Sequence, residues 1–218
     1  MPYEKGPGKS VVIALGGNAL GTTPTEQLGF VRHTAKNIVD MVAEGINVVV
    51  SHGNGPQVGM IETAFDFAHA HGGKAPAMPL PECGAMSQGY IGYQLSQALL
   101  NELKERGIMR SSVVLITQTV VDRDDPAFED PTKPVGSFFT KDEALRLAAE
   151  TGATFQEDAG SGWRQVVASP QPQRTVEFDA IQDLITDGYV VVSARGGGVP
   201  VIEAADGYHG MAAVIHHD

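Results

Sequence analysis

The chain has 218 residues, of which 42% are hydrophobic, enough for one good core and for one domain or two small ones. A formal net charge of −11, with only 15 scattered Lys and Arg residues, argues against nucleic acid as a partner, because phosphate backbones are bound by clustered cations. No apolar run approaches the roughly 20 residues of a membrane span and no charged-then-apolar leader opens the chain, which predicts a cytoplasmic protein without membrane contact.

The first predicted unit is a strand, a helix and a second strand, in which each strand runs directly into a glycine-asparagine loop. Apolar, mostly β-branched runs at 11–15 and 46–50 predict buried parallel strands. The helix between them has apolar residues three and four apart and ends at Gly45. Glycine at the carboxyl end of a strand lets backbone N–H groups approach a ligand, and in an open α/β sheet the ligand crevice lies at that edge.

The two loops together predict a nest of N–H donors for an anion, most simply phosphate, although each loop alone also fits a plain strand-to-helix turn. A helix after Pro56 begins at the second loop and would point its N-terminus at the bound phosphate. The candidate anion-binding residues are Gly16, Gly17, Asn18, Gly53, Asn54 and Gly55.

A loop rich in proline and glycine at 72–84 separates this unit from a helix that ends at Gly107, and a strand follows at 113–117. The single cysteine, Cys83, excludes an internal disulfide, and its neighbours favour a packed thiol over a nucleophile.

The segment 118–172 differs from the rest, because it is dense in Asp, Pro and Gly and has one short helix, which begins at a Thr140–Glu143 capping box. An insertion of this kind between two core strands is typical of a lid or arm over an active site. Within it, Pro131 and Pro134 restrict the backbone around Lys133 and would aim its ammonium group.

The core resumes with a helix that ends at Gly188 and a strand at 189–193, followed by a third glycine turn made of Gly196, Gly197 and Gly198. His209, His216, His217 and Asp218 resemble a metal cluster in composition. We interpret them as a frayed chain end, because adjacent histidines in an extended chain point to opposite sides.

Six motifs together resemble the signature stretches of carbamate kinase, within the amino acid kinase family. They are LGGNAL (15–20), SHGNGPQVG (51–59), CGAMSQG (83–89), DPTKPVG (130–136), GWRQVV (162–167) and GGGVP (196–200). The resemblance covers nearly the whole chain and implies a three-layer α/β/α sandwich, mainly with a parallel sheet and with a protruding subdomain. On this basis 1–117 and 173–218 form the substrate-binding core, and 118–172 form the protruding subdomain over the phosphoryl donor.

The resemblance also implies a reaction, the reversible transfer of a phosphoryl group between carbamoyl phosphate and ADP, giving ATP and carbamate. The nucleotide takes part as its Mg²⁺ complex, and a cytoplasmic homodimer in arginine metabolism is implied. Lys133 matches a catalytic lysine of the family, and the three glycine turns match its substrate-binding loops. A positioned cation suits this chemistry, because phosphoryl transfer spreads negative charge over the equatorial oxygens.

The chain departs from the family pattern at two places. Arg195 stands where the family generally has the first of four glycines. The last residues place His216 and His217 where the family has an aspartate and a lysine, which makes His217 the second candidate catalytic residue. The family continues from here into the lobe that holds the adenine nucleotide. We expect that lobe to be absent from these 218 residues and the chain alone to have little carbamate kinase activity.

Two alternatives remain at this point. One is another kinase of the same fold that phosphorylates an amino acid, against which the Pro131–Pro134 motif argues. The other is a non-catalytic phosphate-binding or assembly module derived from a carbamate kinase, which the missing lobe and the two terminal histidines favour.

Overall fold

The computed structural model describes residues 8–16, 20, 23–158, 160–193 and 197–216, with the exception of the Ser137 side chain. The helices are α1 (Pro24–Ala43), α2 (Gly55–Ala70), α3 (Leu80–Glu105), α4 (Lys141–Thr151) and α5 (Phe178–Thr186), with a 3-10 turn at Pro126–Phe128. The strands are β1 (Ser10–Leu15), β2 (Asn47–His52), β3 (Ser112–Leu115), β4 (Gln118–Val121), β5 (Lys133–Phe139), β6 (Thr154–Glu157), β7 (Trp163–Val167), β8 (Pro172–Thr175), β9 (Val190–Ser193), β10 (Val199–Ala204) and β11 (Gly207–Gly210).

A parallel sheet in the order β1-β2-β9-β3 forms the centre of the fold. Its register pairs Leu15 with His52 and Ser51 with Ser193, so the carboxyl ends of β1 and β2 lie side by side. The parallel strands expected from the apolar runs are therefore confirmed. The second strand extends to His52 because its last two residues still pair with β1.

Helices cover this sheet on both faces, which gives the three-layer α/β/α arrangement that the sequence predicted. On one face α1 and α3 pack against each other and against side chains of β2 and β9. On the other face α5 contacts β2 and β9 and leaves part of β1 uncovered, with Val12 57% exposed. The main core comprises Leu20, Val31, Ala35, Ile38, Val39, Val42, Val48, Val50, Ile91, Leu95, Ala98, Leu99, Leu103, Val190 and Val192.

Two smaller sheets follow. A mixed sheet in the order β11-β10-β4-β8 joins the two ends of the predicted insertion, since β10 pairs parallel to β4 and β4 pairs antiparallel to β8. A three-stranded antiparallel sheet in the order β5-β7-β6, together with α4, lies between these ends in the sequence. We call β5, β6, β7 and α4 the arm. Its main contact with the rest of the fold is that of β5 with α2.

Two further boundaries differ from the sequence predictions for physical reasons. Helix α3 begins at Leu80, inside the predicted loop 72–84, because Pro81 is well tolerated in the first turn of a helix. Strand β3 ends at Leu115 and not at 117. The Thr117 amide donates to Gln88 Oε1 at 2.8 Å, and the Thr117 carbonyl oxygen accepts from Gln88 Nε2 at 3.1 Å and from the Val199 amide at 2.8 Å, so Thr117 bonds outside the central sheet. None of the described helices combines the length and the apolar character that crossing a membrane requires.

Candidate active site

A cleft of about 1170 Å³ lies between the arm and the carboxyl ends of β1 and β2. It is lined by the N-terminal turn of α2, by the start of β5, and by Arg164 of β7. Among the predicted site residues, Gly16, Gly53, Asn54, Gly55 and Lys133 line this cleft. Residues more than 110 positions apart in the sequence thus come together around one space.

Gly53 is held on both sides at the end of β2. Its N–H donates to the Leu15 carbonyl oxygen at 2.8 Å, which ties the two glycine loops together. The Nδ1 atom of His52 lies 3.2 Å from the Gly53 carbonyl oxygen, so the geometry calls for a hydrogen on Nδ1. Burial lowers the pKa of His52 and favours this neutral ring. The N–H of Gly53 is therefore already used, and this glycine shapes the loop without donating to a ligand.

The donors of the second loop are the amides that follow Gly53. Asn54 precedes α2 and makes no capping hydrogen bond to that helix with its side chain. Its Nδ2 group instead donates to Ser87 Oγ at 2.7 Å, and Ser87 Oγ donates to the Gly84 carbonyl oxygen at 2.6 Å. The first amides of a helix have no partner inside the helix. Those of Asn54 and Gly55 have none among the described residues, so they are available to an anion in the cleft.

Lys133 is the first residue of β5 and is exposed. It is anchored by antiparallel pairing with Val167 of β7, and it has no ion pair within the described part of the chain. The cleft thus has one side lined by backbone donors and another carrying an ammonium group. Both are suited to a group with several anionic oxygens.

The described residues of the third glycine turn, Gly197 and Gly198, do not line this cleft. Gly197 lines a second cleft, of about 1220 Å³, on the face of the central sheet that carries α5. Gly198, with φ of +36°, lies against two threonines, and a Cβ there would be 2.7 Å from Thr119 Oγ1 and 3.0 Å from the Thr117 carbonyl oxygen. The two clefts share Gly16, Gly53 and Ile215. Gly17, Asn18, Gly196 and His217 lie outside the described residues, as do Arg195 and Asp218.

A buried carboxyl group lies beneath the arm. Glu62 of α2 is 7% exposed, and its Oε2 atom would be 3.2 Å from a Cβ on Gly136 of β5. Burial, with a smaller contribution from Asp66, raises the pKa of Glu62 to about 7. The buried residues of α2 are Gln57, Val58, Gly59 and Glu62. The four-residue spacing of Val58 and Glu62 is the sequence signal for that inward position.

Cys83 is fully buried, and burial together with nearby carboxylates raises its pKa to about 11, which fits the expected packed thiol. His209 pairs with Asp206 at 2.9 Å within the β10–β11 hairpin. In the ranges that the structure describes, no three His, Cys, Asp or Glu side chains are grouped so that they could hold a metal ion.

Comparisons with known proteins agree with this geometry. Residues 9–211 match the model of the amino acid kinase family, which defines the class of the protein. Carbamate kinase 3 of Staphylococcus aureus (strain USA300) is 51% identical over 208 residues, covering 95% of this chain and 67% of the relative. Carbamate kinase of Staphylococcus haemolyticus (strain JCSC1435) is 52% identical over the same shares of both chains.

Solved structures are similar as well. Carbamate kinase from Giardia lamblia bound to AMP-PNP superposes with a TM-score of 0.87 at 44% identity, covering 96% of this chain and 67% of that one. The same enzyme bound to citric acid gives 0.82 at 43% identity. The chain therefore belongs to the amino acid kinase family and, within it, to the carbamate kinases. It spans about two thirds of the length of these relatives.

Proposed function

We propose that this chain carries the substrate site of a carbamate kinase, an enzyme that moves a phosphoryl group reversibly between carbamoyl phosphate and ADP. The observation that carries the proposal is the common cleft of Lys133 and the N-terminal amides of α2. The names of relatives about 51% identical favour this reaction over an amino acid acceptor and over a non-catalytic module.

The chemistry needs no general base. In the direction of ATP synthesis, a terminal phosphate oxygen of ADP bonds to the phosphorus of carbamoyl phosphate, and the bond from phosphorus to the carbamate oxygen breaks. Carbamate leaves with that electron pair as an anion, so no proton is transferred. What the protein supplies is positioning and stabilisation of the negative charge on the three equatorial oxygens.

The roles in this proposal follow from the contacts. The amides of Asn54 and Gly55 would donate to the phosphoryl oxygens, and Lys133 would stabilise their charge from the arm. Gly53 would act by shaping the loop. The remaining candidates keep the roles that the resemblance implies, as substrate-binding residues or, for the last one, as a second catalytic residue. They are Gly16, Gly17, Asn18, Gly196, Gly197, Gly198 and His217.

The domain organisation and the partners are also proposals. Residues 1–117 and 173–218 would form the substrate core and 118–172 the protruding subdomain, which includes the arm. The lobe for ADP or ATP would correspond to the third of the relatives' length that this chain does not span, with Mg²⁺ entering as part of the nucleotide substrate. Exposed Tyr93 and Leu100 on α3 support a homodimer. Work in the cytoplasm, in arginine metabolism, is the setting that the resemblance implies.

Binding of carbamoyl phosphate to the purified chain tests the proposed site without requiring turnover. By titration calorimetry, Lys133→Ala should weaken the affinity about tenfold or more, because one charge-assisted contact is lost. Lys141→Ala is the matched control, since Lys141 is an exposed arm lysine that lies over the Trp163 ring and lines neither cleft. Equal losses in both variants, or no binding by the parent chain, would contradict the proposed site.

A further inference from the structure

Arg164 is a cation in the cleft that the proposed chemistry does not use. It lies on β7, one strand away from Lys133, and its side chain is 23% exposed. Its Nη1 group donates to Asp158 Oδ2 at 3.2 Å, and its Nη2 group donates to the Gly136 carbonyl oxygen at 3.2 Å. The guanidinium carbon lies 5.1 Å from the centre of the Phe138 ring. Arg164 is thus held by several contacts within the arm.

These contacts coincide with an irregularity in β5. Regular pairing with β7 runs from Lys133 to Val135, which lies opposite Gln165, and it resumes only where Phe139 lies opposite Trp163. Three residues of β5 therefore face the single residue Arg164 of β7. A bulge of this kind removes ladder hydrogen bonds and bends the strand. Gly136 has a φ of +70°, and Arg164 supplies a donor to its carbonyl group.

The opposite side of the same bulge rests on α2. A Cβ on Gly59 would be 3.3 Å from both the N and the Cα of Gly136, so the two backbones are in close contact. Glu62 lies one turn further along α2 and faces Gly136 as well. The bulge is therefore clamped between α2, whose N-terminus lines the cleft, and the Arg164 guanidinium.

We propose that Arg164 is a positioning residue, which holds the β5 bulge against α2 so that Lys133 stays opposite the amides of Asn54 and Gly55. The inference rests on the proposed function. Arg164 acts through Lys133 because the carboxylate of Asp158 already balances its charge and two of its nitrogens already donate within the arm. A planar fork that spans Asp158 and Gly136 cannot be reproduced by the single ammonium group of lysine.

A double-mutant cycle with inorganic phosphate as the probe tests this role in the whole chain. Arg164→Gln should weaken phosphate binding about tenfold in calorimetry, because a charge-assisted contact that fixes the bulge is lost. Arg164→Lys should weaken it to a similar degree. In a Lys133→Ala background, Arg164→Gln should add less than a twofold loss, since the group that it positions is gone. Arg146→Gln, an exposed arm arginine paired only with Glu150 within the described chain, should leave binding unchanged.

The other outcomes each overturn the proposal in a recognisable way. Recovery of affinity in Arg164→Lys, with a full loss for Arg164→Gln in the Lys133→Ala background, would make Arg164 a direct ligand of the anion. Unchanged binding in both Arg164 variants would leave it without a role in the site. If the parent chain does not bind phosphate, or Lys133→Ala binds normally, the proposed site itself fails. Emission from Trp163, the single tryptophan, monitors the structure of the arm. If Arg164→Gln shifts this emission, Arg164→Lys takes its place in the double-mutant cycle.

Discussion

The helical layer of α1 and α3 and the arm are stabilised by different kinds of contact. The helical layer packs fully buried aliphatic side chains against the central sheet, and its largest members are 0 to 1% exposed. In the arm, α4 buries only Ala144, and Gly136, Gly152, Gly160 and Gly162 all have positive φ. Buried, close-packed aliphatic side chains contribute much of the stability of a fold, whereas glycine turns and directional hydrogen bonds set the local geometry. We therefore expect changes in the helical layer to reduce stability and changes in the arm to affect ligand binding.

The largest effect should come from the helical layer. Leu99 is fully buried, so Leu99→Ala should lower the free energy of unfolding by about 3–4 kcal/mol through lost burial and a residual cavity. Leu145, on α4 of the arm, is 55% exposed, and Leu145→Ala should cost less than about 1 kcal/mol. Urea denaturation measures both. Similar costs for the two variants would show that this layer is not the stability core.

The next effect lies at the junction of the two regions. Glu62 titrates near pH 7 in the folded chain against 4.5 for its ordinary value, so unfolding releases its proton between these values. Stability contributed by the neutral form is therefore present below about pH 4.5 and is lost as the pH rises through 7. Glu62→Gln should raise the free energy of unfolding at pH 8 by about 2–3 kcal/mol and change little at pH 4.5.

Chemical denaturation at the two pH values measures this difference. Asp66 and Cys83 lie near Glu62, and burial raises the pKa of both side chains. Glu62→Gln is therefore compared with the parent chain at the same pH. Glu105→Gln, on the exposed end of α3, is the control and should be neutral at both values. A stabilisation that is the same at pH 4.5 and pH 8 would rule out titration of Glu62 as its cause.

A smaller effect is expected at the third glycine turn. Gly198→Ala places a methyl group against Thr117 and Thr119 at a positive φ, which should cost about 1–3 kcal/mol. Gly29→Ala in α1 meets no atom within 4 Å and should stabilise the helix by up to about 1 kcal/mol. Thermal unfolding of the two variants should therefore shift in opposite directions, and a shift of Gly198→Ala in the same direction as Gly29→Ala would contradict the close packing.

The smallest effect should come from the arm itself. Thr140 caps α4, and its hydroxyl accepts from the Glu143 amide while the Glu143 carboxylate accepts from the Thr140 amide. Thr140→Ala should cost about 1 kcal/mol, and Thr140→Ser should cost less because serine keeps the capping oxygen. Emission from Trp163 during urea denaturation follows the arm directly. Equal losses in the two variants would show that the cap hydroxyl is not what holds this end of α4.

The sequence was sufficient to predict the parts of the fold that repeat. Continuous apolar runs predict the central strands and helical spacing predicts α1, and the glycine ends predict which edge of the sheet binds the ligand. The spacing from Val58 places Glu62 on the inward side of α2, but its raised pKa could not be predicted, because burial in the folded chain is what favours the neutral form. The clamp at Gly136 could not be predicted either, because its partners Gly59 and Arg164 are 77 and 28 positions away in the sequence. The motif resemblance placed Lys133 and the glycine loops in one predicted site, and all three elements line the same cleft.

The contact between Gly59 and Gly136 limits how the cleft can vary among related sequences. The two backbones already lie so close that a single added carbon would reach within 3.3 Å of Gly136. No residue is smaller than glycine, so a side chain at Gly59 would push the arm away from α2, and a side chain at Gly136 would meet the Glu62 carboxylate at 3.2 Å. Substitution of Gly59 would therefore widen the space between α2 and the arm, the two sides of the cleft that carry the helix amides and Lys133.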